Sequence, residues 1–154
     1  MSALIITVGL EAEPFSPEEA AARFRRSAEG AGAIVHFIGL VRDSASSEAV
    51  RGLFLQHAPG LTLRTIEKFG IEAAERWHLQ RADIIHRIGE VGPGEPIVFV
   101  ATAAAHRRAA FEGADFLMDH LKSEAPFWKK ERRASGDVWI EPRAEDYADK
   151  ARWT

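Results

Sequence analysis

The chain reads as an α+β fold, and three observations lead there. Helical and strand-like patterns interleave irregularly instead of alternating as βαβ units, two apolar runs flank a Gly92-Pro93-Gly94-Glu95 turn, and a last antiparallel pair turns around Ser135-Gly136. Length adds the domain count: 154 residues with 46% hydrophobic side chains suit one core, with no internal repeat and no linker, so residues 1–154 form one domain.

Leu4 to Val8 is a short first strand. Ser16-Pro17-Glu18-Glu19 supplies an N-cap, a Pro at the first helical position and acids in the first turn, so a helix runs to about Glu29 and stops at Gly30 and Gly32. Ala33 to Val41 is β-branched and nearly all apolar, the pattern of a strand buried on both faces, with His36 inside it as a hydrogen-bonded core histidine. Arg42 to Glu48 is small and polar, the best candidate for a mobile loop, and it hangs from the end of that strand. Val50 to His57 is a further strand, broken by Pro59-Gly60, and Leu61 to His78 has apolar residues at helical spacing.

Ala82 to Ile88 and Ile97 to Thr102 are strands that pair as a hairpin across the Pro-Gly turn, which has the residue order of a type II turn. A long helix from about Ala105 to Glu124 has Ala110, Ala114, Leu117 and Leu121 on one stripe, and Pro126 stops it. Phe127 to Arg133 and Asp137 to Glu141 form the last strand pair, and Glu145 to Trp153 a terminal helix.

Composition excludes several classes of function. Cysteine is absent, so there is no disulfide, thiolate metal site, iron–sulfur cluster or cysteine nucleophile, and any sulfur chemistry needs sulfur brought on another molecule. The six histidines show no metal-ligand spacing, and neither a metal nor another cofactor is expected. A formal charge of -3 argues against nucleic-acid coating. The first residues do not form a signal peptide, and the longest apolar run, Ile97 to Ala105, is interrupted by Thr102 and far short of the roughly 20 residues of a membrane span. A soluble cytoplasmic protein with no nucleic-acid or membrane partner is the expectation.

Three constellations carry chemistry. Ala105-His106-Arg107-Arg108 opens a helix with cations, against the helix dipole, and no capping side chain occupies 103–105. A bound phosphate or carboxylate would satisfy both the cations and the free N–H groups, and a solvated basic turn fits the same residues; Arg108 faces solvent either way. Residues 122–133 hold five cations and two acids. The turn at Pro126 can fold Lys122 and Lys129 towards one spot, where each lowers the other's proton affinity and one can act as base or nucleophile; a solvated basic run is the other reading. Arg42 stands at the mouth of a core strand, where ligands gather and where ordinary surface arginines also occur.

Several stretches together resemble the large, catalytic subunit family of molybdopterin synthase: Gly39-Leu40-Val41-Arg42, His57-Ala58-Pro59-Gly60, His86-Arg87-Ile88-Gly89-Glu90 with Pro93-Gly94-Glu95, Ala105-His106-Arg107, and Leu121-Lys122 through Ala125-Pro126-Phe127-Trp128-Lys129-Lys130-Glu131. The resemblance runs from about residue 33 to Arg152-Trp153 and is specific in combination. It implies an α/β hammerhead-type core with an additional antiparallel β subdomain. It also implies a sulfurtransferase that converts cyclic pyranopterin monophosphate to molybdopterin, with sulfur from the C-terminal Gly-Gly thiocarboxylate of a small ubiquitin-like subunit. A homodimer of large subunits with a small subunit at each end, a heterotetramer, is implied as well.

By the same resemblance Lys122 and Lys129 are catalytic. Lys122 lies by the thiocarboxylate carbon as base, acid or transient acyl acceptor, and Lys129 binds the pterin and assists proton transfer. His106 and Arg107 are the anion-binding pair, and Arg42 reaches the pocket from the neighbouring large subunit. Leu40 and Val41 give backbone contacts, Lys130 and Glu131 line the same wall, Phe37 and Met118 are pocket walls, and Arg143 is a further anion contact. Gln56 and Ala58 replace the family's usual acidic and aromatic pair around His-x-Pro-Gly, and Ala103 and Ala104 stand where hydroxyl residues are common. The alternatives are a non-catalytic scaffold that binds a Gly-Gly tail, or a phosphate-ligand or RNA-binding module built on residues 106–108 and 129–133.

Overall fold

In the computed structural model residues 5–42 and 50–154 are described; Leu4 and the loop expected over 43–48 lie outside them. Twelve elements follow in order: β1 (Ile6–Glu11), α1 (Pro17–Ser27), β2 (Ala33–Leu40), β3 (Val50–His57), α2 (Leu61–Trp77), β4 (Arg81–Arg87), β5 (Gly89–Val91), β6 (Pro96–Ala104), α3 (Arg107–Ser123), β7 (Phe127–Arg133), β8 (Gly136–Ile140) and α4 (Ala144–Ala151). They build two four-stranded sheets, ordered β1-β4-β6-β2 and β5-β3-β7-β8. The first is mixed, since β1 runs parallel to β4 while the other pairs are antiparallel. The second is wholly antiparallel and is the additional β subdomain. No helix among the described residues is long and apolar enough to cross a membrane.

Local chemistry accounts for most boundaries. The Ser16 side chain accepts from the Glu19 N–H to start α1, and His78 in the left-handed region ends α2. The stripe Ala110, Ala114, Leu117 and Leu121 is buried, packing α3 with α2 on one face of the first sheet, while α1 covers the other through Phe24, Ala20 and Ala28. The β4–β6 hairpin closes as expected: Gly94 has φ +78°, and the Glu95 N–H donates to the Gly92 carbonyl. The hairpin also contains something the sequence did not reveal. Its loop leaves the first sheet long enough for β5 to pair with β3 in the second.

The strand expected to be buried on both faces is instead the edge of its sheet. Among the described residues β2 pairs only with β6, and Ile34, Phe37, Ile38 and Leu40 stay exposed, as does His36. β6, enclosed between β4 and β2, takes the buried place, with Val98 to Ala104 all inaccessible. His36 is therefore no core histidine; His86 and His120 are the buried ones.

Gly32 fixes how closely β2 approaches the start of α3. Its N–H donates to the Ala104 carbonyl, and a Cβ there would stand 2.0 Å from the Ala105 carbonyl oxygen. Gly32→Ala is expected to destabilise the fold by about 1–3 kcal/mol through overpacking against backbone. Thermal melting followed by circular dichroism tests this, and an unchanged midpoint would show that the two segments are free to part.

Candidate active site

A cavity of about 640 Å³ opens where the two sheets meet. Its walls come from the end of β2, from β3 and the start of β6, from the last turn of α3, from β7, and from the start of α4. Eight of the residues proposed from sequence line it: Leu40, Val41, Arg42, Met118, Lys122, Lys129, Glu131 and Arg143. Arg42 belongs to the wall of its own chain's cavity, so no crossing from a neighbouring chain is needed to bring it there.

The lysine pair is built by the chain reversal between α3 and β7. Glu124 and Ala125 both donate their N–H groups to the His120 carbonyl, and Pro126 then ends the helix. The buried Thr62 hydroxyl donates to the Pro126 carbonyl (2.8 Å) and accepts from the Ala58 N–H (2.9 Å), which fastens the reversal to the His57-Ala58-Pro59-Gly60 loop. β7 register then sets Lys129 against Leu55 and Ile140. As a result Lys122 and Lys129 line the same cavity, with the Lys122 charge acting on the Lys129 amine. Burial first, then the Lys122 charge, pushes Lys129 down to about 8.

His86 forms another part of the wall. It stacks on Phe127 at 4.1 Å, and its Nδ1 lies 2.8 Å from the Arg87 carbonyl; a carbonyl only accepts, so Nδ1 carries the hydrogen and Nε2 is bare. Burial first, then the nearby lysine charges, lowers His86 to about 4. Arg87, the next residue of the HRIGE block, does structural work away from the cavity. Its Nη2 donates to the Ala12 and Glu90 carbonyls, and Nη1 faces Glu95 at 3.6 Å. This ties the turn that carries the chain from β4 into β5.

Four proposed residues lie elsewhere. Lys130 points from the opposite face of β7, its ammonium 4.5 Å from the Trp139 ring centroid, because neighbours along a strand alternate sides. Phe37 is exposed on the β2 edge. His106 and Arg107 sit at the far end of α3, with Arg107 about 22 Å along the axis from Lys122 at 1.5 Å per residue. That helix start is as the sequence predicts: exposed, with no side-chain cap on His106, and with Arg108 in solvent. Ala103 and Ala104 are buried in β6, and Gln56 joins Trp128 and Trp139 in a shallow groove on the outer sheet face.

Sequence reasoning missed Thr62, His86, Asp146 and Tyr147. Asp146 had a local signal, an acid at the third position of a short helix that follows Pro142. Thr62 had none, since its partner carbonyl lies 64 residues away.

The MoaE protein family matches residues 10–124. The molybdopterin synthase catalytic subunit of Cereibacter sphaeroides is 52% identical over 144 residues, 94% of this chain and 97% of that protein. The solved structure of the molybdopterin biosynthesis MoaE protein from Burkholderia ambifaria MC40-6 superposes with a TM-score of 0.82 at 39% identity, covering 97% of this chain and 98% of that one. A chain in the complex of subunits 1 and 2 of molybdopterin-converting factor from Helicobacter pylori 26695 shares the fold, with a TM-score of 0.76 at 20% identity over 88% of this chain and 91% of that one.

The His86 environment has a consequence for acid stability. Its value is lower in the folded chain than the usual 6.5, so the unfolded chain takes up a proton first, and stability present above pH 6.5 is lost as pH falls towards 4. The loss from this group amounts to about 3 kcal/mol across that window. Denaturant titrations between pH 7 and 4 are expected to show that slope in the parent and a flatter one in His86→Gln; equal slopes would place the proton uptake elsewhere.

Proposed function

The chain belongs to the MoaE protein family, and from that membership we propose that the cavity between the two sheets is where it carries out sulfur transfer in molybdenum cofactor biosynthesis, as a molybdopterin synthase catalytic subunit. The observation that carries this reading is that Lys122 and Lys129 line one cavity together with Arg42 and Arg143. The carboxylates there are Glu131, which Arg133 engages at 2.6 Å, Asp146, which meets Arg143 at 3.3 Å, and the exposed Glu141, so with Lys122, Lys129 and Arg42 the cations outnumber them and leave an excess of positive charge. Such a site suits an anionic, phosphorylated substrate together with a carboxylate-like sulfur donor.

In this reading the substrate is cyclic pyranopterin monophosphate, and the donor is the C-terminal Gly-Gly thiocarboxylate of a small ubiquitin-like subunit whose tail enters the cavity. The thiocarboxylate sulfur adds to an oxygen-bearing carbon of the pterin side chain, whose carbon–oxygen bond breaks so that the oxygen departs as water. The acyl carbon–sulfur bond then breaks by attack of water or of the Lys122 amine, which leaves sulfur on the pterin. With water the tail ends as a carboxylate; with Lys122 an amide forms and must be hydrolysed. Lys129, with a value of about 8, exchanges protons near neutral pH, taking one from an attacking group and giving one to departing water. A cytoplasmic location is part of the same proposal.

His106 and Arg107 enter this site only from a second copy of the chain, because α3 is rigid and holds them a helix length from Lys122. Their uncapped N–H groups and two cations suit a phosphate. The homodimer of large subunits, with one small subunit per site, is therefore part of the proposal.

Two experiments test this. Lys122→Ala is expected to lower single-turnover formation of the dithiolene, from thiocarboxylated small subunit and the pterin precursor, by at least about 10²-fold. The melting temperature and small-subunit binding should be retained, and loss of the complex instead would make Lys122 structural. Subunit mixing tests the crossing. Lys122→Ala mixed with His106→Ala should regain activity in hybrid dimers, whereas Lys122→Ala mixed with Arg42→Ala should not; the reverse pattern would exchange the two assignments.

A further inference from the structure

We propose that Asp146 is a positioning residue of the lysine pair: the start of α4 sets its buried carboxylate into the cavity wall, where it keeps a proton on Lys129 against the neighbouring Lys122. The inference rests on the reading of Lys129 as the proton-exchanging group, and it adds a residue to that site.

The geometry starts from the carboxylates. Glu131 is taken up by Arg133, whose Nε and Nη2 lie 2.8 and 2.6 Å from the same oxygen. Glu141 is exposed, so solvent screens it. Asp146 differs from both. Its side chain is 10% exposed, whereas the Arg143 guanidinium it meets at 3.3 Å is 70% exposed. A partner held mostly in water neutralises weakly, and the carboxylate keeps most of its field inside the cavity. The other charged or titratable groups of the walls are Lys122 from α3, His86 from β4, Arg42 beyond β2 and Arg143 and Tyr147 at α4. Lys122 and Arg143 oppose a proton on Lys129, and Asp146 is the carboxylate whose attraction raises its proton affinity.

Its position is fixed twice. Locally, Oδ2 accepts the Arg143 N–H at 2.9 Å, and the Asp146 N–H donates to the Arg143 carbonyl at 3.0 Å. At the other end of α4, Arg152 pairs with Asp115 and Asp119, the Trp153 Nε1–H donates to Asp119, and Arg76 donates to the Trp153 carbonyl. Asp115 and Asp119 belong to α3, the helix that carries Lys122, so the carboxylate and the lysine pair are held in one frame.

The test reads the Lys129 amine directly in the free full-length chain. Acetylation by an acyl ester reagent, followed across pH 6–10 by peptide mass spectrometry, reports the neutral fraction of that amine. Asp146→Asn keeps shape and removes charge. It is expected to label Lys129 about two- to fivefold faster at pH 7, the gain produced by a midpoint lower by about half a unit to one unit. Asp146→Ser, which still offers an acceptor to the Arg143 N–H, carries the same expectation, and Asp146→Glu should keep the parent midpoint. An unmoved midpoint in the folded neutral variants, or the same shift in Asp146→Glu, would reduce Asp146 to a helix cap and overturn the proposal. Sulfur transfer is measured separately: a parent chain that labels as expected but makes no dithiolene would sink the functional reading and leave this one standing.

Discussion

The site depends on one constraint, the chain reversal at Pro126 that brings two ammonium-bearing side chains to one cavity. Left to themselves, two lysines separated by six residues would point into water and avoid each other. Here α3 must stop because Pro126 cannot continue it, and the Thr62 hydroxyl holds the Pro126 carbonyl. Pairing of Lys129 with Leu55 and Ile140 then leaves that side chain in the cavity wall. The repulsion is relieved by chemistry instead of by movement, because a partly buried amine beside a like charge gives up its proton more readily. The cost of holding the pair is thus converted into an amine that titrates near neutral pH.

Much of this was legible in the sequence, and the failures share a physical cause. Caps, breakers and turns act over four or five residues, so α1, the end of α3 and the Pro93-Gly94 turn were read correctly from their own neighbourhoods. Burial is not local in that sense. Ala33 to Leu40 and Pro96 to Ala104 are almost equally apolar, yet one strand is the edge and the other the centre, and only sheet order separates them. His36 was misplaced for the same reason. The site divides similarly. Lys122 and Lys129 were recoverable from the Pro126 turn, and the two-residue alternation of a strand would have separated Lys130 from Lys129 and Glu131. His86 reaches the cavity wall, and Thr62 fastens the reversal behind it, through contacts between distant segments that no spacing in the chain announces.

The family motifs also divide once the structure is in view. In the HRIGE and PGE blocks, His86 faces the cavity while Arg87, Glu90 and Glu95 hold a backbone path. That path takes the chain out of the first sheet at β4 and into the second at β5. The cavity lies at the seam between those sheets, so the residues that tie them together also set its width. Val41, Leu55 and Val91 form a small separate core at that seam, and Val41 lines the cavity as well.

Helix α3 separates two of the proposed site's parts by its own length. Its N-terminal turn leaves unpaired N–H groups and two exposed cations, and its C-terminal turn offers Lys122, whose charge the dipole favours at that end. Between them the apolar stripe is packed on α2 and on the first sheet, so the helix cannot bend to bring its ends together. In the proposed function, an anion held at one end and a nucleophile held at the other serve one substrate through association with another copy of the chain. A rigid helix of 17 residues fixes the distance that such a symmetric pairing must span. Because Arg152 and Trp153 bind α4 to that helix, the wall containing Asp146 follows Lys122 whenever α3 shifts against its neighbours. The charges that tune the lysine pair thus stay in register with it, whatever contacts form at the other end.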